Sequence, residues 1–215
     1  VNPLVFSPDC RRCKRLAAFL REVRSEHAGY YARPVPSFGV PRPRLLVVGL
    51  APGLHGANRT GRPFTGDHAG LLLYRTLHRF GFASAAQSHS ASDGLRLIDC
   101  RITNAVRCVP PGNKPTPEEV RTCNPYLRDE LVQLPDGAAI LALGSVAHAA
   151  VLAASDARPA RFPFAHGAQH ALPSGARLFD SYHCSRYNTQ TGRLTEAMFV
   201  SVFSDIAGFL NRSRR

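Results

Sequence analysis

Four apolar runs, residues 45–50, 97–106, 138–143 and 178–183, have the length of β-strands and are set off by glycine, proline and polar residues. Between them lie stretches with helical spacing: Leu71, Leu72, Tyr74, Leu77 and Phe80; then Val120, Leu127, Leu131 and Leu134; then residues 146–154. Strand alternating with helix over this length forces parallel pairing, because each return to the same sheet edge needs a crossover. The spacing therefore predicts a three-layer α/β/α unit around a central, four-stranded, mainly parallel sheet. Helices bracket the sheet in sequence, one carrying Leu16, Phe19, Leu20 and Val23, the other running from Thr195 through Met198, Val202, Ile206 and Phe209. The link 30–43 holds Pro34, Pro36, Pro41 and Pro43, which exclude a helix, so it is expected to run extended over the surface.

No repeat and no change of composition divides the chain, and 215 residues suit one sizeable core, so residues 1–215 read as a single domain. No apolar run approaches the ~20 residues of a membrane span, and no signal-peptide pattern opens the sequence. The expectation is a cytoplasmic protein with no membrane partner. Lys and Arg number 27 against 15 Asp and Glu, a formal charge of +12, and only Lys14 and Lys114 are lysines. An arginine-dominated surface suits bidentate phosphate contacts and favours a nucleic-acid partner, although biased composition alone would also produce it.

In open parallel sheets ligands bind beyond the carboxyl ends of the strands, and there the unusual residues gather. Residues 49–67 leave the first strand as a long loop with five glycines. The loop is not a nucleotide-phosphate loop, because Arg62-Pro63 follows Gly61 where Lys-Ser/Thr would be required. Phe64 offers either a core plug or a stacking face. Asp67, the only carboxylate between Glu26 and Asp93, is either the N-cap of the next helix or a catalytic group. Asn104 is a polar residue in an apolar run, and its amide offers both donor and acceptor to a base edge. After the fourth strand, residues 181–192 concentrate hydrogen-bonding groups around His183, Ser185, Arg186, Tyr187 and Asn188, suited to a phosphate backbone and bases.

Six cysteines are present. Cys10 and Cys13 have metal-ligand spacing, and Cys108 with Cys123 supplies two more thiolates for zinc or an iron–sulfur cluster; spacing does not decide which. Cys100 and Cys184 fall on predicted strands and read as buried apolar side chains. No His-x-Glu or His-Glu-x-x-His motif occurs, so the metal is expected to be structural.

Taken together, Gly49-Leu50-Ala51-Pro52-Gly53, the run Asn58-Arg59-Thr60-Gly61-Arg62-Pro63-Phe64-Thr65-Gly66-Asp67, the four spaced cysteines, and His183 with Ser185, Arg186, Asn188 and Thr189-Gln190-Thr191-Gly192 resemble the uracil-DNA glycosylase superfamily. Within it they are similar to the iron–sulfur B-type, or family five. The resemblance covers nearly the whole chain. It implies a monomeric base-excision enzyme that flips uracil, or another deaminated or modified base, out of DNA and leaves an abasic site. It also implies Asp67 and His183 as catalytic residues, with Gly49, Ala51, Phe64 and Asn104 against the base. Asn58, Arg59, Arg62, Ser185, Arg186, Tyr187 and Asn188 would meet DNA, and Arg107, which with Arg59, Arg62 and Arg186 falls near the expected site, would add to the charge that grips its backbone. Cys10, Cys13, Cys108 and Cys123 would hold a structural [4Fe-4S] cluster. Two positions depart from other branches. Ala51 stands where a polar or acidic group handles water, a gap the B-type shares, with the aspartate matching Asp67 as its substitute. Cys184 stands where many relatives have proline. Charge and cysteines alone would equally serve a non-catalytic, metal-stapled nucleic-acid-binding module, which has no need of the pocket-forming loop or of His183.

Overall fold

The computed structural model describes residues 6–213. The elements, in chain order, are α1 (Lys14–Glu26), β1 (Phe38–Gly39), β2 (Leu45–Gly49), α2 (Ala57–Thr60), α3 (His68–Arg79), β3 (Cys100–Asn104), α4 (Pro117–Val132), β4 (Ala139–Leu143), α5 (Ser145–Ala154), β5 (Gln169–Ala171), β6 (Arg177–Ser181), α6 (Arg186–Gln190) and α7 (Glu196–Arg212). Single 3-10 turns lie at Pro111–Asn113 and Pro159–Arg161.

The sheet has six strands in the order β1-β3-β2-β4-β6-β5. Its middle four, β3, β2, β4 and β6, are parallel and correspond to the four apolar runs. The expected count of four omits two antiparallel edges, β1 on β3 and β5 on β6. The edges are two and three residues long, and Gln169-His170-Ala171 has no apolar character, so neither leaves a pattern in the sequence.

Alternation along the strands sends side chains to two cores. Leu45, Val47, Ile102, Leu141 and Phe179 pack with Leu73 and Leu77 of α3 and with Phe199, Phe203 and Ile206 of α7. Leu46, Val48, Ile140, Ala142 and Leu178 pack with Leu127 of α4 and Ala147, Ala150 and Val151 of α5. These helices begin where the sequence supplies caps. Thr116 and Glu119 form a reciprocal capping box on α4 with Pro117 in its first turn, and Thr195 accepts from the Met198 amide on α7. Each such cap stabilises by about 1 kcal/mol.

A third cluster joins α1 to the segment after β3: Leu16 and Leu20 meet Val106, Cys108, Val109, Cys123 and Tyr126. The proline-rich link does not simply cross the surface. Ala32 and Val35 are fully buried, and backbone bonds tie Tyr31 to Arg59, Ala32 to Asn58 and Val35 to Arg107 before Phe38–Gly39 joins the sheet. Proline excludes helix without excluding burial once neighbouring amides find carbonyl partners.

Candidate active site

Parallel pairing in register brings the carboxyl ends of the strands to one edge: Gly49 lies opposite Asn104, and Leu143 opposite Ser181. Beyond this edge opens a cleft of about 440 Å³, in the range of small-ligand pockets. Ala51, Phe64, Asp67, Asn104, His183, Ser185 and Arg186 line it, seven of the residues expected from sequence and drawn from three separate segments. Asn113 and His68 also line it. Neither carried a sequence signal beyond its place beside Pro110 or Asp67.

Glycine makes this packing possible. A Cβ at Gly49 would sit 2.4 Å from Asn104 Oδ1 and 2.6 Å from the Phe64 ring, so Gly49 forms the floor of the cleft by having no side chain. Phe64 holds φ +55°, a left-handed conformation a bulky residue rarely adopts. That turn aims its ring across the cleft toward His183, with centroids 5.9 Å apart and planes inclined at 28°. The Asn104 Oδ1 is buried without a hydrogen-bond partner, an acceptor whose desolvation is uncompensated until a donor enters.

Asp67 resolves into two oxygens. Oδ1 accepts from the Gly70 amide at 3.1 Å, so the residue is the N-cap of α3. Oδ2 lies over Gly53 and Gly56, where a Cβ on Gly56 would approach it to 2.5 Å. Burial pushes the carboxyl above the usual aspartate range, against the opposing hydrogen bonds from the Gly70 and Ala69 backbone. Burial also pushes the His183 imidazole down to about 4. At neutral pH the cleft therefore holds a neutral imidazole and an aspartate whose charge is held weakly.

His183 is fixed from behind. Asn188 Nδ2 donates to the His183 carbonyl at 2.8 Å, Ser185 caps α6 by accepting from the Asn188 amide, and His68 Nε2 meets Thr189 Oγ1 at 3.0 Å across α3 and α6. Ser185 and Asn188 thus position the loop, whereas Arg186 is exposed and Tyr187 stands 70% exposed at its tip. A second groove, about 310 Å³, continues from the cleft between Arg59, His68, Gln87, His89 and Arg186. Cys184 is fully buried as expected, though it lies past the end of β6 and not within it.

Three expected surface contacts are turned inward. Asn58 is 0% exposed and its amide donates to the Leu54 carbonyl. Arg62 is 5% exposed: it pairs with Asp93 at 2.6 Å, donates to Ser88 and the Ala91 carbonyl, and lies over the Phe38 ring at 4.3 Å. Arg107 reaches Glu130 at 2.7 Å and Ser37 at 2.6 Å. Glu130, a residue the sequence did not single out, also receives Arg101 and Thr103 at 2.9 and 2.8 Å. Burial opposes its charge, but Arg107 and these hydrogen bonds hold its carboxyl below the usual range. A buried arginine with a carboxylate partner is not free to meet a phosphate, so these two arginines brace loops instead.

The four spaced cysteines converge on one apolar cavity with Phe6, Leu16, Val106 and Tyr126. Tyr126 Oη donates to Cys10 Sγ at 3.5 Å, and the Arg107 amide to Cys123 Sγ at 3.4 Å. Burial and the neighbouring thiols push Cys13 up to about 11, and Cys108 upward as well. Among the described residues no three of these sulfurs lie within 4.8 Å of one another, whereas a tetrahedral zinc at about 2.3 Å would draw them to roughly 3.8 Å.

The profile of a family described as "Uracil DNA glycosylase superfamily" matches residues 36–207. The chain is 50% identical over 201 residues to a type-5 uracil-DNA glycosylase of Thermus thermophilus, covering 91% of each. It is 47% identical over 204 residues to one of Mycobacterium bovis, covering 91% of this chain and 76% of that one. A type-5 uracil-DNA glycosylase of Pyrobaculum aerophilum is 43% identical over 206 residues, with 94% and 88% covered.

Proposed function

The chain belongs to the uracil DNA glycosylase superfamily, and from that premise we propose that it removes uracil from DNA by hydrolysing the N-glycosidic bond, leaving an abasic site. The observation that carries this reading is the single cleft uniting Phe64, Asn104, Asp67 and His183.

Cleavage makes the sugar cationic and the base anionic, so catalysis consists of stabilising the departing base and placing water against C1′. The target nucleotide leaves the stack at a cost of a few kcal/mol, smallest for a mispaired base. Phe64 stacks on the extruded ring. Asn104 reads its polar edge, and the orphaned Oδ1 gains the donor it lacks. The neutral His183 donates a hydrogen bond to the oxygen that takes up charge, worth roughly 3–4 kcal/mol if it acts as one oxyanion donor. The Asp67 carboxylate orients water against C1′, and the half-buried methyl of Ala51 leaves space for it. As the water oxygen bonds to C1′, the C1′–N1 electron pair departs with uracil and the water proton passes toward Asp67.

Arg59 and Arg186, exposed beside the continuing groove, grip the phosphates around the extruded base, and Tyr187 occupies the gap it leaves. Cys10, Cys13, Cys108 and Cys123 would hold a [4Fe-4S] cluster; their convergence on one cavity lined mainly by apolar side chains supports a four-thiolate site there. When bound, it would supply a structural staple from the segment before α1 to α4 and the segment after β3. The protein works as a monomer on uracil-containing DNA in the cytoplasm, at the nucleoid. No helix among the described residues is long and apolar enough to cross a membrane.

Purified protein should release free uracil from a uracil-containing duplex and leave alkali-labile abasic sites. An intact, cluster-loaded preparation that binds the duplex without releasing base would overturn the proposal in favour of a binding module. Base breadth is set by pocket shape at the scale of a methyl group, so a panel of duplexes bearing hypoxanthine, hydroxymethyluracil and etheno-bases defines it.

A further inference from the structure

We propose that His148, His170 and Asp180 form a second metal site, for a divalent transition cation of the zinc class, separate from the cysteine cavity. The three come from different elements: His148 from α5, His170 from the edge strand β5, and Asp180 from β6. One ligand atom from each lies within 4.8 Å of the others.

The hydrogen-bonding pattern leaves a place for a cation. His148 Nε2 stands 2.9 Å from the Phe162 carbonyl, which only accepts, so Nε2 carries the proton. In the neutral ring the Nδ1 lone pair then faces Asp180 Oδ1 at 2.8 Å. Two acceptors so close require a positive charge between them. A proton on Nδ1 would satisfy that pair alone. Asp180 is 0% exposed and its Oδ2 has no hydrogen-bond partner, nor has His170 Nε2, which lies 3.4 Å away. A single divalent ion meets all three lone pairs at once.

The donor set fits this chemistry: two imidazoles and a carboxylate are ligands for zinc-class ions, at about 2.0–2.2 Å. The Phe162 carbonyl has the place of the outer partner that commonly orients a metal-bound histidine through its other ring nitrogen. Phe162 and Phe164 pack edge-on to His170 and His148, respectively, and the partly exposed side chain of His170 gives a path from solvent. The ion would fasten β5 and α5 to β6 three residues before His183.

The test uses the full chain with its own iron. After equilibration with zinc chloride and gel filtration, zinc and iron are counted together. Wild type should retain one zinc per chain beyond the iron, and zinc should raise its melting temperature. His170→Gln, at an edge strand where folding is least at risk, should weaken zinc binding by about 100-fold with iron unchanged; Asp180→Asn should do the same if it folds. Wild type without the extra zinc, His170→Gln that still holds it, or zinc and iron lost together from that variant would each overturn the site. In the first case His148 and Asp180 are an imidazolium–carboxylate pair. In the last, the zinc belonged to the cysteine cavity.

Discussion

Gly49 and Asn104 end adjacent parallel strands in register, and a single methyl on Gly49 would lie 2.4 Å from Asn104 Oδ1. The Asn104 amide, proposed to read the base, is thus held where only a glycine lets it stand. Gly49→Ala should displace Asn104 and Phe64 together, reducing uracil release by at least about 100-fold while the protein still folds and binds duplex. Activity within a few-fold of wild type would show that the floor of the cleft yields. A core that accommodates an extra methyl group usually loses 1–3 kcal/mol, readable as a fall in melting temperature.

Asp67 caps α3 with one oxygen and faces Gly53 and Gly56 with the other, so the two roles can be separated. Asparagine caps helices as well as aspartate does. Asp67→Asn should therefore keep the melting temperature and lower single-turnover excision by about 100-fold, within the range of positioned acid–base groups. Because burial raises the folded carboxyl above its unfolded value, its stabilising contribution is present below the unfolded pKa of about 3.9 and is lost as pH rises through the folded value. At pH 7 the charge brings no stability, and its removal should bring no penalty. Undiminished excision by Asp67→Asn would leave it a cap and nothing more.

His183 should remain neutral through the working range. With its pKa near 4, its stabilising contribution is present above the unfolded value of about 6.5 and lost as pH falls through 4. An NMR titration of the ring should find no midpoint between pH 6 and 7, and excision should fall on an acid limb to which Asp67 also contributes. His183→Ala should cost about 10²–10³ in rate and far less in duplex affinity. A midpoint near 6.5 would argue for an imidazolium donor.

The arginines divide into two classes that salt dependence distinguishes. Arg59→Ala or Arg186→Ala should flatten the logarithmic salt dependence of duplex binding by about one unit each, the mark of a lost phosphate contact. Arg62→Ala should leave that slope alone and instead destabilise by about 3 kcal/mol, since Asp93 would be left without its partner. The reverse assignment of effects would contradict the geometry of both.

Glu130 gathers Arg101, Arg107, Ser37 and Thr103 on one carboxylate. Glu130→Gln should destabilise by about 3 kcal/mol, because two guanidinium groups lose their counter-charge. With the folded carboxyl held below its unfolded value, the stabilisation is present above about pH 4.3 and lost as pH falls through the folded value. Denaturant midpoints at pH 7 and pH 3 should accordingly differ more for wild type than for the variant.

β2 and β4 were legible because strands buried on both faces read as unbroken apolar runs, whereas β3 and β6 showed as strand-length runs in which apolar residues are interspersed with polar ones, Asn104 among them. The edge strands were not, since β1 and β5 are too short to show a period and owe their pairing to neighbours far along the chain. The cleft was readable from its glycines and its single carboxylate. What failed was the facing of arginines: Arg62 and Arg107 turn inward toward carboxylates 31 and 23 residues away, and nothing local to either residue records that partner. The tie of Asn188 to the His183 carbonyl was hidden for a related reason: the same asparagine reads equally well as a DNA contact.

The thiol cavity also sets an order of events at the ribosome. Cys10 and Cys13 emerge first, yet the pocket they enter is completed by Cys108 and Cys123, about 95 residues behind Cys13 or more. At translation rates of about 5–20 residues per second, α1 waits several seconds with its apolar face uncovered. During that interval the N-terminal segment is open to proteases and to other thiols, and capture of the later cysteines closes the chain on itself.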